Sequence, residues 1–191
     1  MVNKFTKSVM INSKEQYLQF LKAEQGVLRN YNFFYVYFKT TFIPTKRFLL
    51  LLRTCEYLKN SSNIFFNKII YLVIKYLKYK LGLKLGFSIP ENVAKKGLQL
   101  PHYGAIVINA NTKIGENCRI HICTNIGAAN KSSIAPVIGN NVYIGPGAKI
   151  YGEITIANNI KIAPNAAVHK SFLEENISIG GIPAKQISKS K

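Results

Sequence analysis

The chain contains no aspartate: its eight acidic residues are all glutamates, set against 26 lysines and arginines. A histidine oriented by aspartate is therefore excluded. Cysteine is scarce too. Cys55, Cys118 and Cys123 are odd in number and show no CxxC spacing, so they read as reduced thiols rather than a disulfide framework. No run of eighteen apolar residues occurs, which argues against a membrane-spanning helix. The richest stretches, Phe48–Leu52 and Ile69–Ile74, are bounded by Arg53, Lys68 and Lys75. Met1–Glu24 mixes charged and apolar residues and lacks the apolar core and cleavage site of a signal peptide. These absences predict a cytoplasmic location.

What is present is positive charge, unevenly placed. Residues 1–96 hold 17 lysines and arginines against 4 glutamates; residues 97–191 hold 9 against 4. A basic, aromatic-rich half can meet anionic lipid, nucleic acid or acidic glycan, or can simply present a solvated lysine face. The basic residues follow no nucleic-acid-binding motif, so no nucleic acid partner is expected.

Residues 1–87 have helical spacing. Tyr17, Phe20 and Leu21, then Phe48, Leu51 and Leu52, then Ile69, Ile70, Val73 and Leu77 recur at three and four. Asn12 or Ser13 can cap the first helix, Pro44 interrupts the pattern, and Gly82 and Gly86 end the last helix. Ile64–Leu85 sets lysines 68, 75, 78, 80 and 84 beside an apolar side. That side is expected to pack on the following domain, with contact at an inner membrane surface as the alternative.

From Ile89 the period changes to six. Ile108, Ile114, Ile120 and Ile126 form one series; Ile138, Ile144, Ile150, Ile156, Ile162 and Val168 form the next, two periods further on. Period six marks a hexapeptide β-helix, in which three hexads close a triangular coil and the aliphatic column is the core. Three residues on stand Asn111, Asn117, Asn141, Gly147, Asn159 and Asn165, types that tolerate positive φ. Next come Thr112, Cys118, Val142, Ala148, Ile160 and Ala166, small or aliphatic as an inner corner demands; Cys118 is thereby a core residue. Cys123 and Glu153 break the turn rule. The fold expected is mainly β, a parallel β-helix over 88–187 preceded by a helical, basic region 1–87 and followed by a tail 188–191. Two interruptions mark where function sits on the solenoid: two extra residues around His102–Gly104, and a loop over 128–136 in which Ser132 would be the inward residue.

The run Leu98–Asn109 with His102, then Ile126-Gly127, the loop, Pro136–Gly139, Ile144–Gly152 and Gly181-Ile-Pro-Ala-Lys185 resembles the serine acetyltransferase-like hexapeptide family of left-handed β-helix acyltransferases, over about residues 85–187. The resemblance implies acetyl transfer from acetyl-CoA to a hydroxyl, with His102 as general base. It also implies a homotrimer binding the donor between subunits, with Gly127, Ala148, Ala166 and Lys185 at the donor site. A single-base transfer needs no metal; zinc held by His102, His121 and His169 is disfavoured by their spacing. His121, nineteen residues past His102, is about one coil on and can stand beside it.

Departures bear on the acceptor. Serine-specific members carry Asp before the catalytic His, where Pro101 stands; Ile134 and Ala135 replace a basic residue and a second His, and Ser88 replaces the orienting Asp. The expected acceptor is therefore a sugar or surface polysaccharide, in the manner of capsule and O-antigen O-acetyltransferases. Serine, and a non-catalytic β-helix scaffold, are the alternatives.

Overall fold

The computed structural model describes residues 10–25, 32–61, 65–129 and 133–189. Among them, helices come first and strands follow, as the change of period predicts. Helix α1 (Lys14–Gln25) opens at Ser13, whose hydroxyl accepts from the Gln16 amide at 3.2 Å while the Gln16 side chain accepts from the Asn12 amide at 2.8 Å. Helix α2 (Phe33–Lys39) is capped by the Asn32 side chain. Pro44 starts a helix, α3 (Pro44–Asn60), where its missing N–H has no intrahelical partner to lose. Helix α4 (Phe65–Leu85) runs through Gly82 and stops at Gly86, φ 78°. Gly82 thus ends nothing. It is required mid-helix because a Cβ there would lie 2.9 Å from the Phe87 carbonyl oxygen and 3.3 Å from the Phe48 ring. Ile64, the expected start of this segment, lies outside the described residues.

The strands form a left-handed β-helix with three faces. The first face stacks β1 (Phe87–Ser88), β2 (Ile106–Ile108), β5 (Thr124–Gly127), β8 (Lys149–Tyr151) and β11 (Ala167–Val168) in parallel. The second stacks β3 (Lys113–Ile114), β6 (Val137–Ile138) and β9 (Thr155–Ile156). The third holds β4 (Arg119–Ile120), β7 (Tyr143–Ile144), β10 (Lys161–Ile162) and β12 (Ile177–Gly180), closed by the antiparallel β13 (Lys185–Lys189). Residues 188 and 189, expected in the tail, are therefore part of a strand; 190 and 191 lie outside the described residues. Ile106 pairs with Thr124, one coil of eighteen, but Ile126 pairs with Ile150, twenty-four on. The loop thus inserts one hexad's worth of residues without disturbing the register, which explains why period six survives across it. Ser132 lies outside the described residues.

The aliphatic column is the core: Ile114, Ile120, Ile138, Ile144, Ile150, Ile162 and Val168 are completely buried, and each contributes roughly 2 kcal/mol by apolar burial. Cys118 joins them, its thiol pushed up to about 11 by burial. At the corner between second and third faces, Asn117, Asn141, Asn159 and Asn176 take φ of 55–59°. Their side chains form a ladder, Asn141 donating to Asn159 at 3.0 Å. At the next corner Cys123 (60°), Gly147 (78°) and Asn165 (57°) do the same, so Cys123 keeps the turn despite its residue type. The third corner departs from the rule. Asn111 is not left-handed; its side chain instead donates to the Ser133 carbonyl at 2.6 Å, tying down the far end of the loop. Gly152 (98°), beside Glu153, carries the positive φ two coils later.

The helices sit on the first coil through a buried charge cluster. The Arg53 guanidinium, fully buried, donates to Glu24 (2.6 Å), Glu56 (2.8 Å) and the carbonyls of Ala94 and Lys95 (both 2.9 Å). Glu24 and Glu56 in turn accept from the amides of Leu98 and Asn92. Burial by itself lowers the Arg53 pKa, but the two carboxylates outweigh it and hold the guanidinium charged. The expected packing of α4 is corrected. Only a narrow stripe containing Ile74, Lys78 and Leu85 is buried, with Lys78 paired to Glu91, while Leu72, Val73, Tyr76 and Leu83 are exposed. The α3 surface is too narrow to cover the rest of the helix.

Arg53→Met removes every donor from a site that holds two buried carboxylates. Urea unfolding followed by circular dichroism should show a loss of about 3–5 kcal/mol; a loss under 1 kcal/mol would mean the cluster does not anchor the helices.

Candidate active site

The extra residues at His102 form a fixed projection. Gly104, at φ 145°, donates its amide to the Leu85 carbonyl at 2.9 Å, and Ile106 donates to Gly86 at 2.9 Å, so the end of α4 supports the bulge. Gly104 also lies flat on Ile122: a Cβ there would come 3.0 Å from that side chain. Pushed outward, His102 and Tyr103 are exposed at the corner between third and first faces.

One coil on, at the same corner, stands His121. Its ring centroid is 6.0 Å from that of His102 and 5.0 Å from that of Tyr143 on the next coil. His121 Nε2 is buried with no hydrogen-bond partner among the described residues. Burial first, then the nearby Arg119 and His102, lower the His121 pKa, so its imidazole is held neutral beside the exposed one. Among the described residues, no carboxylate or carbonyl is hydrogen-bonded to the His102 ring.

The other candidates divide. Ala148 and Ala166 stack in register at this corner but are completely buried. Their methyl groups fill the core, as inner-corner positions demand. What the same turns expose is Asn165, and more partially Pro146 and Gly147. Lys185 is exposed at the start of β13, just past a turn pinned by Ala184 donating to the Ala167 carbonyl (2.9 Å). The edge from His102 to this turn climbs four coil spacings, roughly 19 Å at the usual interstrand distance. Lys149, which sequence reasoning passed over, is on this edge too, its ammonium donating to the Cys123 carbonyl. Tyr143 and Arg119 were also missed. Only their register at eighteen or twenty-four from neighbouring face residues could have placed them.

Gly127 sits elsewhere. It ends β5 at the opposite side of the first face, three residues past Thr124, or roughly 10 Å along the strand. Among the described residues a Cβ there would meet only Asn125 Oδ1, at 3.4 Å. His169 is likewise remote from the imidazole pair, stacked on Tyr151 at 6.1 Å. Among the described residues no three His, Cys or Glu side chains converge as metal ligands.

Comparison with known proteins agrees with this architecture. Residues 135–170 match the family described as bacterial transferase hexapeptide (six repeats). Fold and match together define the class of structure: a left-handed β-helix built from hexapeptide repeats. Within that class the chain is similar to serine acetyltransferases. That of Helicobacter pylori (strain ATCC 700392 / 26695) is 32% identical over 98 residues, which cover 50% of this chain and 57% of that one; the chain thus matches about half the length of this relative. The structure of serine acetyltransferase in complex with coenzyme A from Brucella abortus strain S19 has a TM-score of 0.65 at 23% identity, over 93% of this chain and 70% of that one. The enzyme from Neisseria gonorrhoeae gives 0.65 at 19%, over 98% and 77%.

The lowered pKa of His121 predicts that its imidazole protonates at lower pH than a free histidine, which an NMR titration of the ring protons would register. Because the unfolded chain binds that proton more readily, the contribution of His121 to stability falls as pH drops below about 6.5. A ring titrating at or above 6.5 would contradict the environment described.

Proposed function

We propose that the protein is an acetyl-CoA-dependent O-acetyltransferase. The observation that carries this reading is the edge itself, with an exposed imidazole at one end, an exposed lysine roughly 19 Å away, and small-residue turns between them. An extended thioester carrier can lie along such an edge. Lys185 offers a point charge to its phosphates, and the carbonyl to be attacked falls beside His102. In this reading His102 accepts the acceptor hydroxyl's proton as its oxygen attacks the thioester carbonyl. The imidazolium returns the proton to the departing sulfur when the tetrahedral intermediate collapses. In this reading transfer is direct: Cys118 is buried in the core at another corner, and among the described residues no base is hydrogen-bonded to the sulfur of the exposed Cys123.

Gly127 enters through assembly. It lies on the far side of the first face from His102, so within one chain the two do not meet. We propose a homotrimer in which the Gly127 amide of one subunit faces the edge of its neighbour and stabilises the oxyanion. The reduced thiols are consistent with the cytoplasm as the site of action.

Serine is the acceptor best supported, because the relatives similar over the repeat region are serine acetyltransferases. This moves the acceptor away from the sugar expected from the departures at Pro101, Ile134 and Ala135. One observation keeps a sugar hydroxyl as the second reading. Ile134 is exposed and Ala135 buried where a basic residue and a histidine would bind an amino acid.

His102→Ala should slow coenzyme A release, followed with a thiol reagent, by about a hundred- to ten-thousand-fold, with an unchanged thermal unfolding midpoint. Turnover equal to the parent's would remove His102 from the mechanism. In the same assay the parent should turn over with serine; turnover only with nucleotide sugars or glycans would establish the second reading.

A further inference from the structure

The outer face of α4 has no partner among the described residues. At the helical advance of about 100° per residue, Tyr79, Leu72, Leu83, Tyr76 and Ile69 fall within an arc of about 80°. All five are exposed, between 49% and 63%. Lys68 and Lys75 border this stripe on one side, Lys80 and Lys84 on the other, and the helix contains no acidic residue. Next to it, a groove of about 610 Å³ between α2 and α4 is walled almost wholly by apolar side chains, among them Phe34, Phe38, Val73 and Leu77. Phe42, 93% exposed, follows on the turn after α2.

An apolar stripe with cations on both flanks calls for a partner that is apolar inside and negative at its surface. A second copy of the chain fits poorly. Glu24 and Glu56 are buried on Arg53, Glu91 holds Lys78 and Lys59, and Glu116 and Glu174 face Lys96 and Lys189. Only Glu15, Glu153 and Glu175 remain to meet four lysines. We infer that α4 docks in the plane of an anionic lipid bilayer. Its aliphatic and tyrosine side chains enter the headgroup boundary, and its lysines reach outward to the phosphates. No described helix is long and apolar enough to cross a membrane, so the contact is with the surface.

The inference is independent of acetyl transfer, because its test reads binding and not turnover. The full chain should co-sediment with vesicles of phosphatidylcholine containing phosphatidylglycerol, and not with phosphatidylcholine alone, and binding should weaken as salt rises. Replacing Lys68, Lys75, Lys80 and Lys84 by Gln should lower the partition coefficient about a hundredfold or more, each lysine contributing about a factor of five. Leu72→Ser with Leu83→Ser should also lower it, with an unchanged circular dichroism spectrum. Equal binding to both vesicle types, or none, overturns the inference. So does a fall in the mass found by sedimentation equilibrium for the Leu72→Ser, Leu83→Ser variant, which would make the stripe a chain–chain interface.

Discussion

Everything in the carboxy-terminal half depends on coil closure. Each turn of the solenoid must return its backbone to within hydrogen-bonding distance of the turn below, which it does every eighteen residues. Once that ladder is in place, a column of identical inward positions follows, and so does a column of corners. The corners tolerate only small inner residues and left-handed turns. A side chain on a corner is therefore held with little freedom, because its backbone is bonded both above and below. This is a physical basis for the precise placement of His121, beside the bulge that carries His102.

Function is added where closure is interrupted. The bulge at His102 adds two residues and is supported from below by the end of α4, which makes the helical region part of the site's foundation. The loop after Gly127 adds six residues yet returns to register at Val137 and Ile138. The two interruptions sit on different corners, so a single chain separates His102 from Gly127. The proposed assembly of subunits would bring these edges together.

The helical region works by different physics. Its link to the solenoid is partly apolar, through Phe48, Leu49, Leu52 and Leu85 in the shared core, and partly electrostatic, with Arg53 bonded to two carboxylates and two first-coil carbonyls. Such a cluster contributes less to net stability than to geometry, since any other docking would leave charges unpaired in the interior. It also consumes two of the eight glutamates and contributes to the positive charge left on the exposed side of α4.

Sequence alone determined the period, and with it the fold, the aliphatic core and the burial of Cys118. Those properties are local or repeat along the chain, so spacing reveals them. It also located both interruptions, because an insertion in a strict repeat is visible as a break in count; the candidate base came from the family resemblance. Tertiary structure alone decided which corner each residue occupies, since a corner is defined by stacking and not by position in a hexad. Hence Asn111 lost its left-handed turn, and Tyr143 and Lys149 joined the candidate site unannounced. The Arg53 cluster was equally illegible. Its members come from two helices and the first coil, up to 74 residues apart, and nothing in their local sequence distinguishes a buried arginine from a solvated one.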